Sequence, residues 1–548
     1  MAAQKGPIAY FSLEFGIDSN IPTYAGGLGI LAADTLLQAA DENFPLIGIG
    51  MMYKGKRFIQ KIAGDGMQFE EATPFRLEGS SCFRRVETQG QPIRFDINVG
   101  GEQVWIEAYR QRLGDTVTLY LLTTDVEGNS DYWRNVYDEI YWGNDEDQIR
   151  ERVIFGVGGM KLLSLLHIKP ALIHIQEGRP SLVALPLFAE AKQKNPRASF
   201  DELKAEVQSK VVYTNHTMVA SGIHSYDKGL MEKYLLPLCD AYGIPGNEII
   251  SLGLHDDGRF HTTRFALNVS GKASSVSTPH GKIAKKEYPG YNWTNVTNGV
   301  YLPRWQEPDF ANAALGPKEV WHAHLEKKHS LMREVTTRVG FGYDPTWLTF
   351  TWSRRISGYK QLGSIFEDVD RLKAILTNPD KPGILLIAGK AHPGDTAGKE
   401  LIQRIIGYMK GPLAGHAIFI HNYDIALSHE LVAGSDVWIN TPEFGKEACG
   451  TSGMKAISNG VLQATVADGW ASEVDWTDTG WVLDHTNLTN SVYETMESAV
   501  SLYYERNGEG LPETWITRMK KSISLAEKYS ARRMLAEYRR KLYAGYGA

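Results

Sequence analysis

VWINTPEFGKEACGTSGMKAISNGVLQATVAD runs from Val437 to Asp468. Its two ends, VWIN and LQATVAD, are short apolar runs that stop on Asn and Asp, as buried parallel strands do. Between them a loop crowded with Gly, Thr and Ser opens into a helical stretch carrying Lys455. Strand, glycine-rich turn, helix and strand make the repeating unit of an α/β protein with parallel sheets.

The same alternation extends outward. ALIHIQ (Ala171–Gln176), VVYTN from Val211, ILLIAG from Ile384 and AIFIHN from Ala417 read as buried strands. Val153–Leu166, Lys399–Met409 and Ile425–Ala433 read as helices between them. Asn298–Asp309, with Pro303 and Pro308 and little periodicity, reads as a crossing between two halves, and the second half restarts near Trp347 with LTFTWSRR. Pro512–Ala548 has helical spacing, and Leu525, Tyr529, Met534, Leu535, Tyr538 and Leu542 form an apolar stripe that predicts helices packed on the body. The expected domains are 1–305, 306–511 and a C-terminal helical segment, 512–548, returning to the first.

The chain has 548 residues, room for several domains at about 100–200 residues each. A net charge of −6 argues against polyanion binding, and a 43% hydrophobic, 22% charged composition excludes a disordered chain. Cys82, Cys239 and Cys449 are too scattered for a disulfide framework or a zinc cage. No apolar run is long enough to span a bilayer and MAAQKGPIAYFSLEFG lacks a signal-peptide core, so a cytoplasmic protein is expected, with no membrane or nucleic-acid partner.

Four stretches have the composition of binding loops. AGGLGILAAD (Ala25–Asp34) sets three glycines before a helix, where bare N–H groups receive anionic oxygens; alone it is equally a tight turn. In EACGTSGMKAISNG (Glu447–Gly460), Lys455 is either a carbonyl-cofactor anchor or a point charge for a phosphate. SRRISGYKQ (Ser353–Gln361) puts Arg354, Arg355 and Lys360 just past a strand, where α/β sheets bind ligands, and three cations there suggest phosphate. VVYTNHTMV (Val211–Val219) places Asn215 and His216 at a strand end. His255, Asp256, Asp257 and His261 have the look of ligands, but DDG is more simply a turn, and no metal is expected.

Taken together, the motifs resemble the α-glucan phosphorylases, the glycogen, starch and maltodextrin phosphorylases. EACGTSGMK is similar to their pyridoxal-phosphate attachment segment. YFSLEFG (Tyr10–Gly16), AGGLG, YTNHT, TNG (Thr297–Gly299) with PRW, RISGYK (Arg355–Lys360), GKAHPG (Gly389–Gly394), Asn422–Tyr423 and ADG (Ala467–Gly469) follow in the family's order. The length resembles the short bacterial branch. The resemblance implies a GT-B fold, two Rossmann-like domains facing across a catalytic cleft, and retaining phosphorolysis of α-1,4-glucan by orthophosphate to α-D-glucose 1-phosphate.

It also implies roles. Lys455 would tether pyridoxal 5'-phosphate, whose phosphate acts as the proton relay. Arg354, Thr451, Ser452, Gly26, Gly27 and Tyr423 would join Lys455 around the cofactor. Arg355, Lys360 and the backbone of Gly27 would hold the substrate phosphate. The carbonyl of His216 would face the sugar carbon, with Leu28, Asn298, Glu447, Cys449 and Gly450 lining the glucose subsite. A homodimer would fit the family. Three positions depart from its pattern: Arg179 and Ser357 stand where histidines are usual, and Ser458 precedes Asn459 in place of an apolar residue. A nucleotide-sugar-dependent GT-B glucan synthase would share the glycine loop and the Arg–Lys pair without needing Lys455, and a silent glucan-binding protein would have eroded anion sites.

Overall fold

The computed structural model describes residues 6–545 except 19–20, 55–56, 74, 76–81, 142 and 218–223; Met218 and Val219 of the YTNHTMV stretch therefore lie outside the described residues. The chain divides into two compact units. One comprises Met1–Arg57, Pro74–Thr297 and Met534–Ala548; the other comprises Phe58–Thr73 and Asn298–Arg533.

The first unit is built on a ten-stranded sheet. Its strands are β1 (Ile8–Phe11), β2 (Leu46–Met51), β3 (Arg84–Arg85), β4 (Arg94–Val99), β5 (Glu102–Leu113), β6 (Val117–Thr123), β7 (Leu172–Gln176), β8 (Val211–Thr214), β9 (Lys272–Ser275) and β10 (Trp293–Asn295). The order β10-β9-β8-β7-β1-β2-β6-β5-β3, with β4 also on β5, is parallel from β10 to β6. The far edge is antiparallel, β6 to β5 and β5 to β3 and β4, which the expected all-parallel pattern lacks. That edge alternates burial along RFDINV, because one of its faces meets solvent. Helix α1 (Gly27–Asp41) links β1 to β2. The helix expected at Val153–Leu166 is present and contains a π turn at Ile154–Gly158, where a Cβ on Gly156 would press the backbone of Leu182 at 2.8 Å.

The second unit has a six-stranded, wholly parallel sheet: β11 (Leu348–Ser353), β12 (Gly383–Ala388), β13 (Ala417–Ile420), β14 (Val437–Asn440), β15 (Leu462–Val466) and β16 (Gly480–Leu483). Its order, β13-β12-β11-β14-β15-β16, is 3-2-1-4-5-6 by chain position, that of a doubly wound sheet. Ile384, Leu385, Leu386 and Ile387 in β12 are fully enclosed, each worth roughly 1.5–3 kcal/mol of apolar burial. The strand order reverses between β11 and β14, and ligands of such sheets bind beyond the carboxyl ends of strands at that point.

Helix α2 (Pro317–Val339) begins with Pro at its first turn and ends on left-handed Gly340, φ +83°. It buries Lys328 against Asp436, which also accepts from His324 Nε2 at 2.7 Å and from the backbone N–H of Thr349 at 2.7 Å. This buried ion pair clamps α2 to the starts of β11 and β14. Near the C-terminus, Glu513–Ser524 sends Trp515, Ile516 and Met519 into the second unit's core. From Met534 onward the chain belongs to the first unit, where Tyr543 Oη lies 2.7 Å from Nδ1 of His174 in β7.

Candidate active site

In the second unit two of the three predicted cations, Arg354 and Lys360, converge at the reversal point, whereas Arg355 does not join them. Arg354 follows β11 directly and donates through Nη1 to Asn440 Oδ1 at the end of β14, so one side chain spans the two strands. Its Nη2 lies 2.9 Å from Glu447 Oε1, and Lys360 Nζ pairs with Glu447 Oε2. Burial would raise the Glu447 pKa, but Arg354 and Lys360 outweigh it and hold the carboxyl at about 2, ionised at neutral pH. Burial and then Arg354 push Lys360 down to about 7, against the pull of Glu447. Arg355 is exposed beside the phenol of Tyr359.

The glycines here have steric reasons. A Cβ on Gly450 would run into Glu447 Oε1 and come within 3.0 Å of Arg354 Nη2. Gly389 faces the carbonyl of Arg354 with no room for a side chain. Asp468 fastens the loop from beneath, its Oδ2 accepting from the N–H groups of Gly445 and Glu447, each at 2.9 Å.

Lys455 is buried on the short helix α3 (Ser452–Ile457), with Thr451 at its N-cap. Its Nζ sits 3.7 Å from the centroid of Trp305, whose ring also stacks on His429 at 4.4 Å. Ser452 Oγ accepts from Trp438 Nε1 at 3.3 Å. The departure at Ser458 is locally satisfied: its hydroxyl donates to the Lys455 carbonyl at 2.7 Å. Asn298 is buried with Oδ1 unpartnered, while its carbonyl accepts from Arg533 at 2.8 Å. Its backbone N–H reaches the Cys449 thiol, which burial pushes well above the usual range. Tyr423 donates to Ser428 Oγ at 3.1 Å. Ser357, the second departure, has its hydroxyl buried without a partner.

A pyridoxal 5'-phosphate fits this chemistry. Lys455 supplies an enclosed primary amine, Trp305 an aromatic face, and Arg354 a buried guanidinium whose Nε has no partner. Gly450, having no Cβ, lets Glu447 and Arg354 close onto the loop backbone beside them.

The first unit gathers the remaining predicted residues at the carboxyl ends of β1, β7 and β8. Gly26 caps α1 and Gly27 opens it; a Cβ on either would meet nothing within 4 Å. Leu28 is half-buried in the same turn. His216 donates its N–H to Glu177 Oε1 at 2.7 Å, and its Nε2 lies 2.8 Å from Gln176 Oε1. Burial, with His280 adding to it, lowers the His216 pKa to about 3, so the imidazole is neutral. Arg179, the third departure, is buried in an ion pair with Glu151 at 2.8 Å.

Four residues escaped selection from sequence. Glu14 accepts from the N–H groups of Ala25 and Gly26, so Gly26's own N–H is already engaged. Glu177 follows β7 at φ +62°, its carboxyl raised to about 8 by burial. Asp468 and Trp305 hold the Lys455 segment. Glu14 lies in YFSLEFG, Trp305 in PRW and Asp468 in ADG, and Glu177 follows ALIHIQ directly, so each sits in or beside a motif whose other residues carry the signal. The HDDG stretch is a turn, with Gly258 at φ +75°, and His261 Nε2 lies 2.8 Å from Asp257.

The profile of the Carbohydrate phosphorylase family matches residues 305–478. The chain is 31% identical to a glycogen phosphorylase of Aquifex aeolicus, covering 98% of this chain and 86% of that protein. It is 32% identical to a maltodextrin phosphorylase of Thermococcus litoralis (98% and 70%) and 30% identical to a glycogen phosphorylase of Mycobacterium tuberculosis (99% and 72%).

Proposed function

The chain belongs to the carbohydrate phosphorylase family, and on that footing we propose that it cleaves α-1,4-glucans with orthophosphate. The products are α-D-glucose 1-phosphate and a glucan one unit shorter, with anomeric configuration retained. The observation that carries this reading is the convergence of Arg354 and Lys360 on Glu447 at the sheet's reversal point, beside Gly450 and the Lys455 helix.

Pyridoxal 5'-phosphate would be held by Lys455, with Arg354, Thr451, Ser452, Gly26, Gly27 and Tyr423 around it. When bound, it supplies a phosphate group that exchanges a proton with orthophosphate. Orthophosphate is received by Arg355, Lys360 and the N–H of Gly27. Two phosphate dianions repel strongly at low dielectric, and cations with pre-oriented N–H groups offset that repulsion. Glu447, ionised and anchored, accepts from glucose hydroxyls, and Asn298 Oδ1 is a further buried acceptor. Gly450 and Cys449 line the same subsite, with Leu28 opposite in this reading. His216 contributes its backbone carbonyl toward the sugar cation, and its neutral ring adds no positive charge there. Lys455 would thus act as anchor, and Arg355, Lys360 and His216 as the groups at the reacting atoms.

The finer architecture is part of the same proposal: a GT-B fold with two Rossmann-like lobes about a cleft. The expected bounds 305/306 and 511/512 shift to 297/298 and 533/534, because Glu513–Ser524 packs in the second unit's core and the chain rejoins the first unit only from Met534. A cytoplasmic location and a homodimeric assembly belong to the same proposal; among the described residues no helix is long and apolar enough to cross a membrane. Borohydride reduction followed by peptide mapping tests the cofactor: a pyridoxyl group on Lys455 supports the reading, and an unmodified Lys455 in active enzyme refutes it.

A further inference from the structure

Tyr141 has a left-handed backbone, φ +64°, which a bulky side chain adopts only when its surroundings compel it. Two contacts hold its side chain there, although the residue is 41% exposed. Its hydroxyl donates to Glu14 Oε1, and the guanidinium of Arg179 lies 4.8 Å from its ring centroid. Arg179 is itself immobilised by the buried pair with Glu151 and by His224 Nε2 at 3.3 Å.

The other oxygen of Glu14 faces the glycine loop. It accepts from Ala25 N–H at 2.7 Å and Gly26 N–H at 2.9 Å, while the Glu14 carboxylate presses Gly29 so closely that a Cβ there would lie 3.0 Å from Oε2. Glu14 is 1% exposed, so it cannot turn outward to water. An anion acting on this loop from outside meets a buried carboxylate behind it. That arrangement attracts no anion by itself. It consumes the two N–H groups that precede the helix and leaves exposed Gly27 as the first residue of α1, at the helix end where N–H groups lack intrahelical partners.

We infer that Tyr141 and Arg179 are positioning residues for the glycine loop: by locking Glu14, they fix the direction in which the N-terminus of α1 presents Gly27 to orthophosphate. This deepens the proposed function and rests on its placement of orthophosphate at Gly27. A loosened Glu14 lets Ala25 and Gly26 turn, and the substrate anion then loses an oriented donor without loss of any group that touches the sugar.

Tyr141→Phe removes only the hydroxyl and keeps the ring under Arg179. Losing one charge-assisted hydrogen bond behind the loop is expected to raise the KM for orthophosphate by roughly 3–10-fold, with kcat within about twofold and the KM for maltodextrin unchanged. Glu14→Gln is the second variant; its amide cannot accept from Tyr141 and from both loop N–H groups as the carboxylate does, so it moves the same parameter. The second readout needs no turnover: thermal melting of the purified enzyme with orthophosphate alone, in which Tyr141→Phe requires more phosphate for the same rise in Tm. A phosphate KM and melting response equal to wild type in Tyr141→Phe, or equal shifts in both substrate KM values, would overturn the inference. If wild-type enzyme releases no glucose 1-phosphate, it is the proposed function that fails, and the melting response alone then decides the role of Tyr141.

Discussion

Arg354 Nη2 lies 2.9 Å from Glu447 Oε1 although 93 residues separate the two in sequence. The contact exists because parallel strands β11 and β14 are neighbours at the point where the sheet order reverses, which brings the loops after them together. Arg354 spends one nitrogen on Asn440 and another on Glu447, and its Nε is left over inside the protein. A buried cation with unmet hydrogen-bonding capacity is a receptor for an additional anion.

Glu447→Gln should abolish most activity, lowering kcat/KM by roughly 10²-fold, the scale for losing one oriented charged contact at a reacting sugar. Two buried cations would then lack their counter-ion, so the variant should melt early and regain stability in orthophosphate or sulfate. A variant that melts as wild type and ignores these anions would count against the cation cluster.

Lys360 sets a pH dependence. Its pKa is pushed down to about 7, chiefly by burial. In the proposed site orthophosphate is held by this ammonium, so kcat/KM for orthophosphate should fall as pH rises through about 7, approaching about tenfold per unit on the alkaline side. Lys360→Arg, which stays charged, should flatten that limb even at reduced activity. A profile for wild type that remains level well above pH 7 would contradict the assignment.

Gly450→Ala separates site geometry from fold. The added methyl meets Glu447 and Arg354 rather than the core, so Tm should hold within a few degrees while kcat/KM drops by roughly 10²-fold. Equal loss of stability and activity would show that the residue serves packing instead.

Lys328→Met tests the clamp on α2. Asp436 would keep His324 and the Thr349 N–H but lose its buried ammonium, at a cost of roughly 3–5 kcal/mol. Denaturant unfolding should register it, with the phosphate KM of the surviving folded enzyme unchanged.

What sequence could reveal divided along physical lines. Ile384–Ile387 and Val437–Ile439 were readable because strands buried on both faces are continuous apolar runs. The antiparallel edge β4–β6 hid behind alternation, and α2 behind His324 and Lys328, polar residues placed on its buried face. At the site, Arg354, Lys360, Glu447 and Lys455 announced themselves through residue type and motif. Glu14, Tyr141 and Asp468 did not, because their task is to hold backbone N–H groups or one another, a relation created only by the fold.

The most direct test is an assay of glucose 1-phosphate released from maltodextrin with and without orthophosphate, run on wild type and Lys455→Ala with no nucleotide present. The account predicts phosphate-dependent release by the wild type, and loss of both activity and bound pyridoxal phosphate in the variant. Full phosphate-dependent turnover by Lys455→Ala, or glucan chemistry that requires a nucleotide sugar, would contradict it.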